Sequence, residues 1–302
     1  MHPITYDYED WFIESIMTII WELDFYSRPI LDEQEKKLWE VLICESPTSS
    51  NTPLDSLFRF TQFCSNKDVN SLWLRDTISQ AIAQAPQPPE KIRFFRRPMA
   101  NMITKACNEL NIPASVSRRA YTLNIWLEER MRDFYPQQPG YSPSTNPTVQ
   151  MLLQTPEPLP EELMGEKWQF VSLQVEAFQE MQEWSIDFGE TFPLQLLSLP
   201  PQTPIPGLII YSSRALPLAA WMSGLELAFL SFDSSPTNRL LLETGGSDRW
   251  ILLNLNNENL VKEVKDFEKA KQQAGNVHFL AIQSGPDVEN FAGFWLMQEL
   301  GI

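Results

Sequence analysis

The hydrophobic positions near the start of the chain predict a β-hairpin followed by a third strand. Trp21–Ile30 and Leu38–Glu45 are rich in aromatic and branched side chains, and the charged stretch Asp32–Lys37 separates them. Two such runs around a polar turn are typical of a hairpin. Leu57–Phe63 has a similar composition and predicts the next strand.

Helical periodicity then alternates with short strands. In Val69–Ala85 the apolar residues recur at helical spacing, which predicts a helix. A strand is predicted at Lys91–Arg97, and Pro98 favours a new helix because the first helical turn needs no amide hydrogen. A short strand at Ala114–Val116 and a helix over Ser117–Tyr135, capped by Ser117, complete the order β-β-β-α-β-α-β-α.

The second half of the chain also alternates between strand and helix patterns. Gly245-Gly246 between two apolar runs predicts a second hairpin. The predicted strands are Trp168–Val175, Gly207–Ser212, Arg239–Thr244, Trp250–Leu255 and Val277–Gln283, the predicted helices are Pro217–Phe232 and Glu258–Ala274, and a terminal apolar segment spans Phe291–Leu300. The sequence therefore predicts an α/β fold with mixed sheets, in two domains that each contain a small sheet and flanking helices.

Prolines indicate where the two domains meet. Seven prolines lie between residues 136 and 160, and such a segment cannot continue a helix or a central strand. We therefore predict an N-terminal domain at residues 1–135, a Pro-rich linker at 136–160 and an acidic C-terminal domain at 161–302. The longest apolar stretch, Leu216–Phe232, contains Glu226 and is shorter than a bilayer span of about 20 residues. It predicts a buried helix and no membrane insertion.

Charge is distributed unevenly along the chain. The 302 residues include 23 Lys and Arg against 39 Asp and Glu, for a net charge of −16. Residues 1–139 hold 15 basic and 19 acidic groups, and the remainder holds 8 and 20. Between Lys91 and Arg119, however, seven cations stand against one carboxylate, Glu109. Such a basic segment in an acidic chain must be neutralised by the protein or bind an anion.

The residue pattern of the basic segment is consistent with both neutralisation by the protein and binding of an anion. The predicted strand Lys91–Arg97 carries an aromatic and at least one cation on each face, with Phe94 on one and Phe95 on the other. Arg118 and Arg119 are predicted in a first helical turn, where free amides and the helix dipole favour an anion. The alternative is that protein carboxylates, for example Glu128, Glu129 and the acidic hairpin, pair with these cations. The pattern alone leaves this choice open.

The sequence contains few features that are typical of catalytic or cofactor-binding sites. Cys44, Cys64 and Cys107 are far apart, and His2 and His278 are the only histidines, so no zinc-ligand spacing occurs. The nucleotide-binding patterns G-x-x-x-x-G-K-[ST] and G-x-G-x-x-G are absent. We expect no metal and no cofactor. The cysteine usage and an N-terminus without a signal or transit pattern predict a cytoplasmic protein.

One enzymatic alternative depends on the order of elements. The β-β-β-α-β order resembles the core of metal-dependent nucleases, which use acidic residues and a lysine on adjacent strands to hold Mg²⁺. Glu22, Asp24 and Glu40 lie on the predicted hairpin, but Leu42 stands where that chemistry needs a lysine. The N-terminal domain is therefore predicted to resemble, at most, an inactive nuclease core.

Four stretches of sequence carry a family resemblance. They are WELDFYSRPILDEQEKKLWEVLICE (Trp21–Glu45), RFFRRPMANMITKAC (Arg93–Cys107), SRRAYTLNIWLEER (Ser117–Arg130) and FWLM (Phe294–Met297). Together they resemble the Tab-type RNA-binding proteins of cyanobacteria and chloroplasts, over nearly the whole chain.

The resemblance implies a non-catalytic RNA-binding protein, and our first hypothesis is that its RNA is single-stranded. The chloroplast members are required for translation of the messenger RNA of a photosystem I reaction-centre subunit, through its 5′ leader, and support photosystem biogenesis. The family ends in a Trp-Leu-Leu tripeptide linked with function, and here it is Trp295, Leu296 and Met297, so methionine departs from the pattern. The N-terminus without a transit pattern is similar to a cyanobacterial member.

The resemblance and the basic segment together predict an RNA site in the N-terminal domain. Phosphates would be contacted by Arg93, Arg96, Arg97, Arg118 and Arg119, a base would stack on Phe95, and Arg28 would extend the groove. Two alternatives stay open. One is a protein-interaction or photosystem assembly factor whose acidic C-terminal domain engages positively charged partners, such as ribosomal segments. The other, less favoured, is a metal-dependent nuclease.

Overall fold

The computed structural model describes residues 19–47, 52–53, 56–143 and 154–300. Within these ranges the chain forms three mixed sheets with helices packed around them. The predicted α/β class is therefore confirmed. The C-terminal half contains two sheets where the sequence predicted one.

The N-terminal half is built on a five-stranded sheet in the order β3-β2-β1-β4-β5. The first three strands form an antiparallel meander, and the last two run parallel to β1. Their bounds are β1 Ile20–Leu31, β2 Lys37–Glu45, β3 Arg59–Cys64, β4 Lys91–Phe94 and β5 Ala114–Val116. The predicted hairpin is confirmed. Its turn is held by the Asp32 side chain, which accepts hydrogen bonds from the amides of Gln34 and Lys36.

The two faces of this sheet differ in character because side chains alternate along each strand. One face carries Trp21, Leu23 and Phe25 into an apolar core against two helices. The other face carries Glu22 and Asp24 towards a third helix. The helices are α1 Ser71–Gln84, α2 Ala100–Asn108 and α3 Tyr121–Glu129. The alternation places carboxylates on a face that α3 covers.

The boundaries of two predicted elements are wrong around the basic segment. The predicted strand Lys91–Arg97 ends at Phe94. The helix predicted from Ser117 begins only at Tyr121, so Arg118 and Arg119 precede it in irregular backbone. There the amide of Arg118 donates to the carbonyl of Gly245, far along the chain. Tertiary contacts thus hold the two arginines outside the helical turn that capping residues predicted.

The C-terminal half contains a five-stranded sheet and a four-stranded sheet, in the orders β7-β9-β13-β14-β8 and β10-β11-β12-β6. The α4 and α5 helices accompany them. The bounds are β6 Glu157–Pro158, β7 Lys167–Gln174, β8 Ile186–Glu190, β9 Pro204–Tyr211, α4 Ala215–Ser223, β10 Leu227–Asp233, β11 Arg239–Thr244, β12 Arg249–Asn254, α5 Glu258–Gln273, β13 Val277–Gln283 and β14 Phe291–Gln298.

The apolar stretch predicted as one helix, Pro217–Phe232, is instead a helix followed by a strand. The α4 helix ends at Ser223, and Glu226 turns the chain with a φ of 54° before β10 begins. Both pieces are apolar and bury several of their residues, which explains why hydrophobicity alone could not separate them. In the described part of the chain, helices are all too short or too polar to cross a bilayer.

The Pro-rich linker prediction falls partly outside the described residues, because positions 144–153 are among those not covered. At its beginning the chain runs along β1, where the amide of Leu31 donates to the carbonyl of Gly140. Gly140 has a φ of +76°, and a Cβ there would lie 2.2 Å from the Leu31 carbonyl oxygen. Only glycine fits this position. The division into domains at 135 and 161 stays a prediction.

Candidate nucleic-acid interface

Most of the predicted RNA-contacting arginines are buried. Arg28, Arg93, Arg96, Arg118 and Arg119 all lie inside the protein, and each guanidinium faces protein carboxylates. Arg97 differs from them because it is half-buried and makes no ion pair within the described residues. The structure therefore separates one accessible arginine from five arginines that already have partners. Their role in RNA binding stays a prediction.

The first group of arginines neutralises acidic residues on the N-terminal sheet. Arg28 lies 2.9 Å from Asp24 and 2.9 Å from Glu40, and Arg96 lies 2.6 Å from Asp24. Arg130, in the π-helical turn after α3, also pairs with Glu40. The Tyr135 hydroxyl donates a hydrogen bond to the same carboxylate. Burial raises the pKa of Tyr135 above its ordinary value. This sheet cluster is a closed network of charges that satisfy one another.

The sheet cluster also bears on the nuclease alternative. Asp24 and Glu40, two of its three candidate ligands, accept hydrogen bonds from arginines on several sides. Glu22 instead accepts from the Leu123 amide and the Ser46 hydroxyl. Among the residues that the structure describes, no cluster of His, Cys, Asp and Glu is arranged to hold a metal ion. Guanidinium groups occupy the carboxylates that Mg²⁺ would need, and the nuclease resemblance is not confirmed.

Glu22 is a buried carboxyl on this face of the sheet, and its pKa is shifted from the ordinary value. It is completely buried at the junction of β1 and the start of α3. Burial raises its pKa from 4.5 to about 7, although hydrogen bonds from Ser46 and Leu123 oppose that rise. The carboxyl is therefore partly protonated near neutral pH.

The second group of cations lies where the two halves of the chain meet, which we call the seam. It comprises six cations and three carboxylates. Lys91 and Arg93 pair with Glu226 at 2.7 and 2.6 Å. Arg93 and Arg119 pair with Glu190 at 2.8 and 3.1 Å. The remaining members are Arg97, Arg118, Arg249 and Glu243.

The seam joins residues that are remote in sequence. The Lys91–Glu226 pair spans 135 positions, and the Arg93–Glu190 pair spans 97. Pairing with protein carboxylates, which the sequence left open, is thus observed. Asp24 of the acidic hairpin does pair with Arg96, whereas Glu128 and Glu129 make no ion pair with the basic segment in the described residues. Arg249 belongs to the seam and was missed by sequence reasoning, because it follows the Gly245-Gly246 turn in an acidic region with no motif around it.

The comparison with protein families covers both halves of the chain. A model described as RNA-binding protein Tab2/Atab2 N terminal matches residues 20–130, and the model of the Tab2/Atab2 C-terminal domain matches residues 146–298. The chain belongs to the Tab2/Atab2 family of RNA-binding proteins. The resemblance inferred from sequence is confirmed.

Individual Tab2 proteins match over most of the chain. The Protein TAB2 homolog, chloroplastic, of Zea mays is 38% identical over 288 residues, which covers 93% of this chain and 71% of that protein. The protein of the same name from Arabidopsis thaliana is 40% identical over 287 residues, covering 93% and 74%. Among solved structures, a chain from a simian T-cell lymphotropic virus intasome complex matches with a TM-score of 0.26 and 13% identity. The match covers 40% of this chain and 43% of that chain, and it is too weak to indicate a shared fold.

The tripeptide expected at the end of Tab2/Atab2 proteins lies in the core. Trp295, Leu296 and Met297 are on β14 and are buried. Trp295 and Met297 face a core that includes α4, whereas Leu296 faces the opposite side of the sheet. In this structure the tripeptide therefore packs the C-terminal half.

Phe95, the predicted stacking residue, is also buried. It packs with Leu42, Leu123 and Trp126 beneath α3, and the Arg96 guanidinium lies 4.9 Å from its ring centre. The ring is thus enclosed by protein groups in this structure, and base stacking by Phe95 stays a prediction.

Proposed function

We propose that this Tab2/Atab2 family member binds single-stranded RNA without catalysis, and that it supports translation of a photosystem I reaction-centre messenger through the 5′ leader. The observation that carries the proposal is the match of both halves to models of RNA-binding proteins. The choice of messenger follows the resemblance to chloroplast members. A cyanobacterial, cytoplasmic location stays a prediction, since the matched relatives are chloroplastic.

The charge at the seam supports an RNA partner. A chain with a net charge of −16 repels phosphate on average, whereas the seam holds twice as many cations as carboxylates. A local excess of positive charge attracts a polyanion despite the overall charge. We propose that the basic segment contacts RNA with Arg97 as its accessible arginine, while Arg28, Arg93, Arg96, Arg118 and Arg119 hold that segment in place.

Titration of the purified protein with a labelled photosystem I leader RNA at several salt concentrations tests this proposal. Affinity should fall by roughly 0.7 log units per log unit of salt for each phosphate neutralised. Duplex DNA of equal length serves as the control and should bind more weakly. Failure to bind the leader at low salt would contradict the proposed function.

A groove on the C-terminal half favours a second candidate, the binding of an extended basic protein segment. Its volume is about 610 Å³, and it lies between β7 and α5. Trp168, Phe170 and Phe267 line it together with the carboxylates of Glu263 and Asp266, which make no ion pair in the described residues. Because β7 is an edge strand, its free backbone can pair with an added strand. The carboxylates favour a basic partner.

A pull-down after ribonuclease treatment tests the second candidate. The groove predicts retention of a partner with a Lys- or Arg-rich segment and its release by Glu263→Gln with Asp266→Asn. The control pair Glu180→Gln and Glu183→Gln, on exposed positions, should retain it. Equal retention by both variants would contradict the groove as a docking site.

A further inference from the structure

Two arginines pair with a single carboxylate at one end of the seam, and a third arginine lies near them. The Arg118 guanidinium lies 3.1 Å from Glu243, and Arg249 lies 3.0 Å from the same carboxylate. Burial lowers the pKa of Arg118 most, and the charges of Arg249 and of Arg97, the nearby third arginine, lower it further. Arg97 and Arg118 come from the basic segment, and Arg249 begins β12. Two positive charges therefore share one carboxylate, and Arg97 adds a third positive charge beside them.

The donors of this cluster are not all satisfied. Glu243 accepts from Arg118 through one oxygen and from Arg249 and Ser231 through the other, so little accepting capacity remains. The Nε of Arg97 is buried and has no hydrogen-bond partner, and Arg97 has no ion pair within the described residues. A buried donor without an acceptor is unfavourable. A further anion at the exposed part of the Arg97 side chain would balance the excess charge of the cluster.

Access to the cluster is open on one side. Arg97 and Arg249 are both partly exposed, whereas Arg118 and Glu243 lie beneath them. The Arg118 guanidinium also lies 4.7 Å from the ring centre of Phe229, which fixes its plane from below. An anion can therefore approach Arg97 and Arg249 from solvent without the seam opening.

We infer that Arg97 and Arg249, with the buried Arg118 beneath them, form a phosphate-binding site for the RNA backbone, to which both halves of the chain contribute. Guanidinium groups suit phosphate because their planar donors match its oxygens. The inference rests on the proposed RNA binding and adds where one phosphate binds. It also means that RNA would lie across the seam.

The test compares RNA binding by Arg97→Gln, Arg249→Gln and the double variant with the wild type. Each single variant should lower affinity for the leader RNA about tenfold at low salt, as expected when a charge-assisted hydrogen bond to phosphate is removed. The log–log salt slope should fall by about 0.7 for each phosphate that the variant no longer neutralises. Arg214→Gln is the matched control, because Arg214 is exposed on the C-terminal half and makes no ion pair with the described residues. It should bind RNA like the wild type.

Thermal unfolding of each variant checks that weaker binding does not come from misfolding. Arg97→Gln breaks no ion pair of the described residues and keeps the site testable even if Arg249→Gln destabilises the seam. Wild-type affinity and salt slope in a folded double variant would overturn the phosphate site but leave RNA binding in place. A wild-type protein that binds no RNA would instead overturn the proposed function.

Calorimetry with inorganic phosphate distinguishes the source of the anion. If phosphate binds the wild type and not the double variant, while both bind RNA equally, the cluster is a site for free phosphate and the RNA assignment is wrong. If the double variant binds RNA more weakly, and inorganic phosphate competes with RNA only at high concentration, the assignment of the cluster to the RNA backbone is supported.

Discussion

Glu22 is a buried carboxyl whose surroundings favour its protonated form. Its pKa is raised to about 7 in the folded protein, against 4.5 for an exposed glutamate. Between these two values the folded state binds more protons than the unfolded state. The stabilisation from the raised pKa is therefore present at low pH and is lost as pH rises from about 4.5 to 7. The loss amounts to about 3 kcal/mol.

Glu22→Gln should remove this pH dependence. We expect the drop in unfolding free energy between pH 5 and pH 8 to be smaller in Glu22→Gln than in the wild type by about 2 kcal/mol. Urea unfolding at both pH values measures it. Glu180→Gln, at an exposed position, should behave like the wild type. Identical pH profiles for Glu22→Gln and the wild type would contradict the assignment.

The sequence was enough to predict which residues of the site are charged, but not which residues pair with one another. The sequence showed that Arg93, Arg118 and Arg119 stand in a basic segment, because local charge is visible in the chain itself. It did not show that Glu190 and Glu243 neutralise them, because those partners come from a distant part of the chain. Only the tertiary arrangement distinguishes Arg97, which has no such partner among the described residues.

At the scale of elements, periodicity predicted well where the pattern was amphipathic. The hairpin of β1 and β2 and the helix α5 have one polar and one apolar side, and both were predicted to within a few residues. The segment Pro217–Phe232 is apolar over most of its length and has no clear polar face, so its pattern does not distinguish helix from strand. The β8 strand was missed because its five residues include glycine and two acids.

The close packing of β14 gives a prediction for this element. A Cβ on Gly293 would lie 2.5 Å from two ring atoms of Trp295 and 3.0 Å from Ala219 of α4. Gly293→Ala should therefore lower the unfolding free energy by about 1–3 kcal/mol in urea unfolding. Gly285→Ala is the control, because open space surrounds that position. Its effect should stay within about 0.5 kcal/mol.

A second substitution separates overpacking from other causes. Trp295→Phe removes the two ring atoms that the new methyl group would meet, so it should restore part of the stability of Gly293→Ala. If Gly293→Ala lowers the unfolding free energy equally with and without Trp295→Phe, the tripeptide does not set the packing of β14. The measurement thus tests whether Trp295 acts through the core.

At the scale of the whole molecule, the acidity of the C-terminal half has a structural use. Charge counts along the sequence could not show this, because they do not distinguish carboxylates that face inward from those that face solvent. Glu190, Glu226 and Glu243 lie at the seam and pair with cations of the other half. These pairs join the two halves, but they leave the seam with excess positive charge.

Removing two of these carboxylates should therefore change stability and RNA affinity in opposite directions. Glu190→Gln with Glu226→Gln leaves Lys91, Arg93 and Arg119 without their carboxylate partners, which should lower the unfolding free energy by on the order of 2 kcal/mol. The same change makes the seam more positive, so affinity for the leader RNA should rise severalfold with a steeper salt dependence. Calorimetric unfolding and RNA titration measure the two effects. Glu183→Gln with Glu258→Gln removes equal charge from exposed positions and should alter neither strongly. Lower RNA affinity in a folded seam variant would show that the carboxylates shape the RNA surface rather than only weaken its charge.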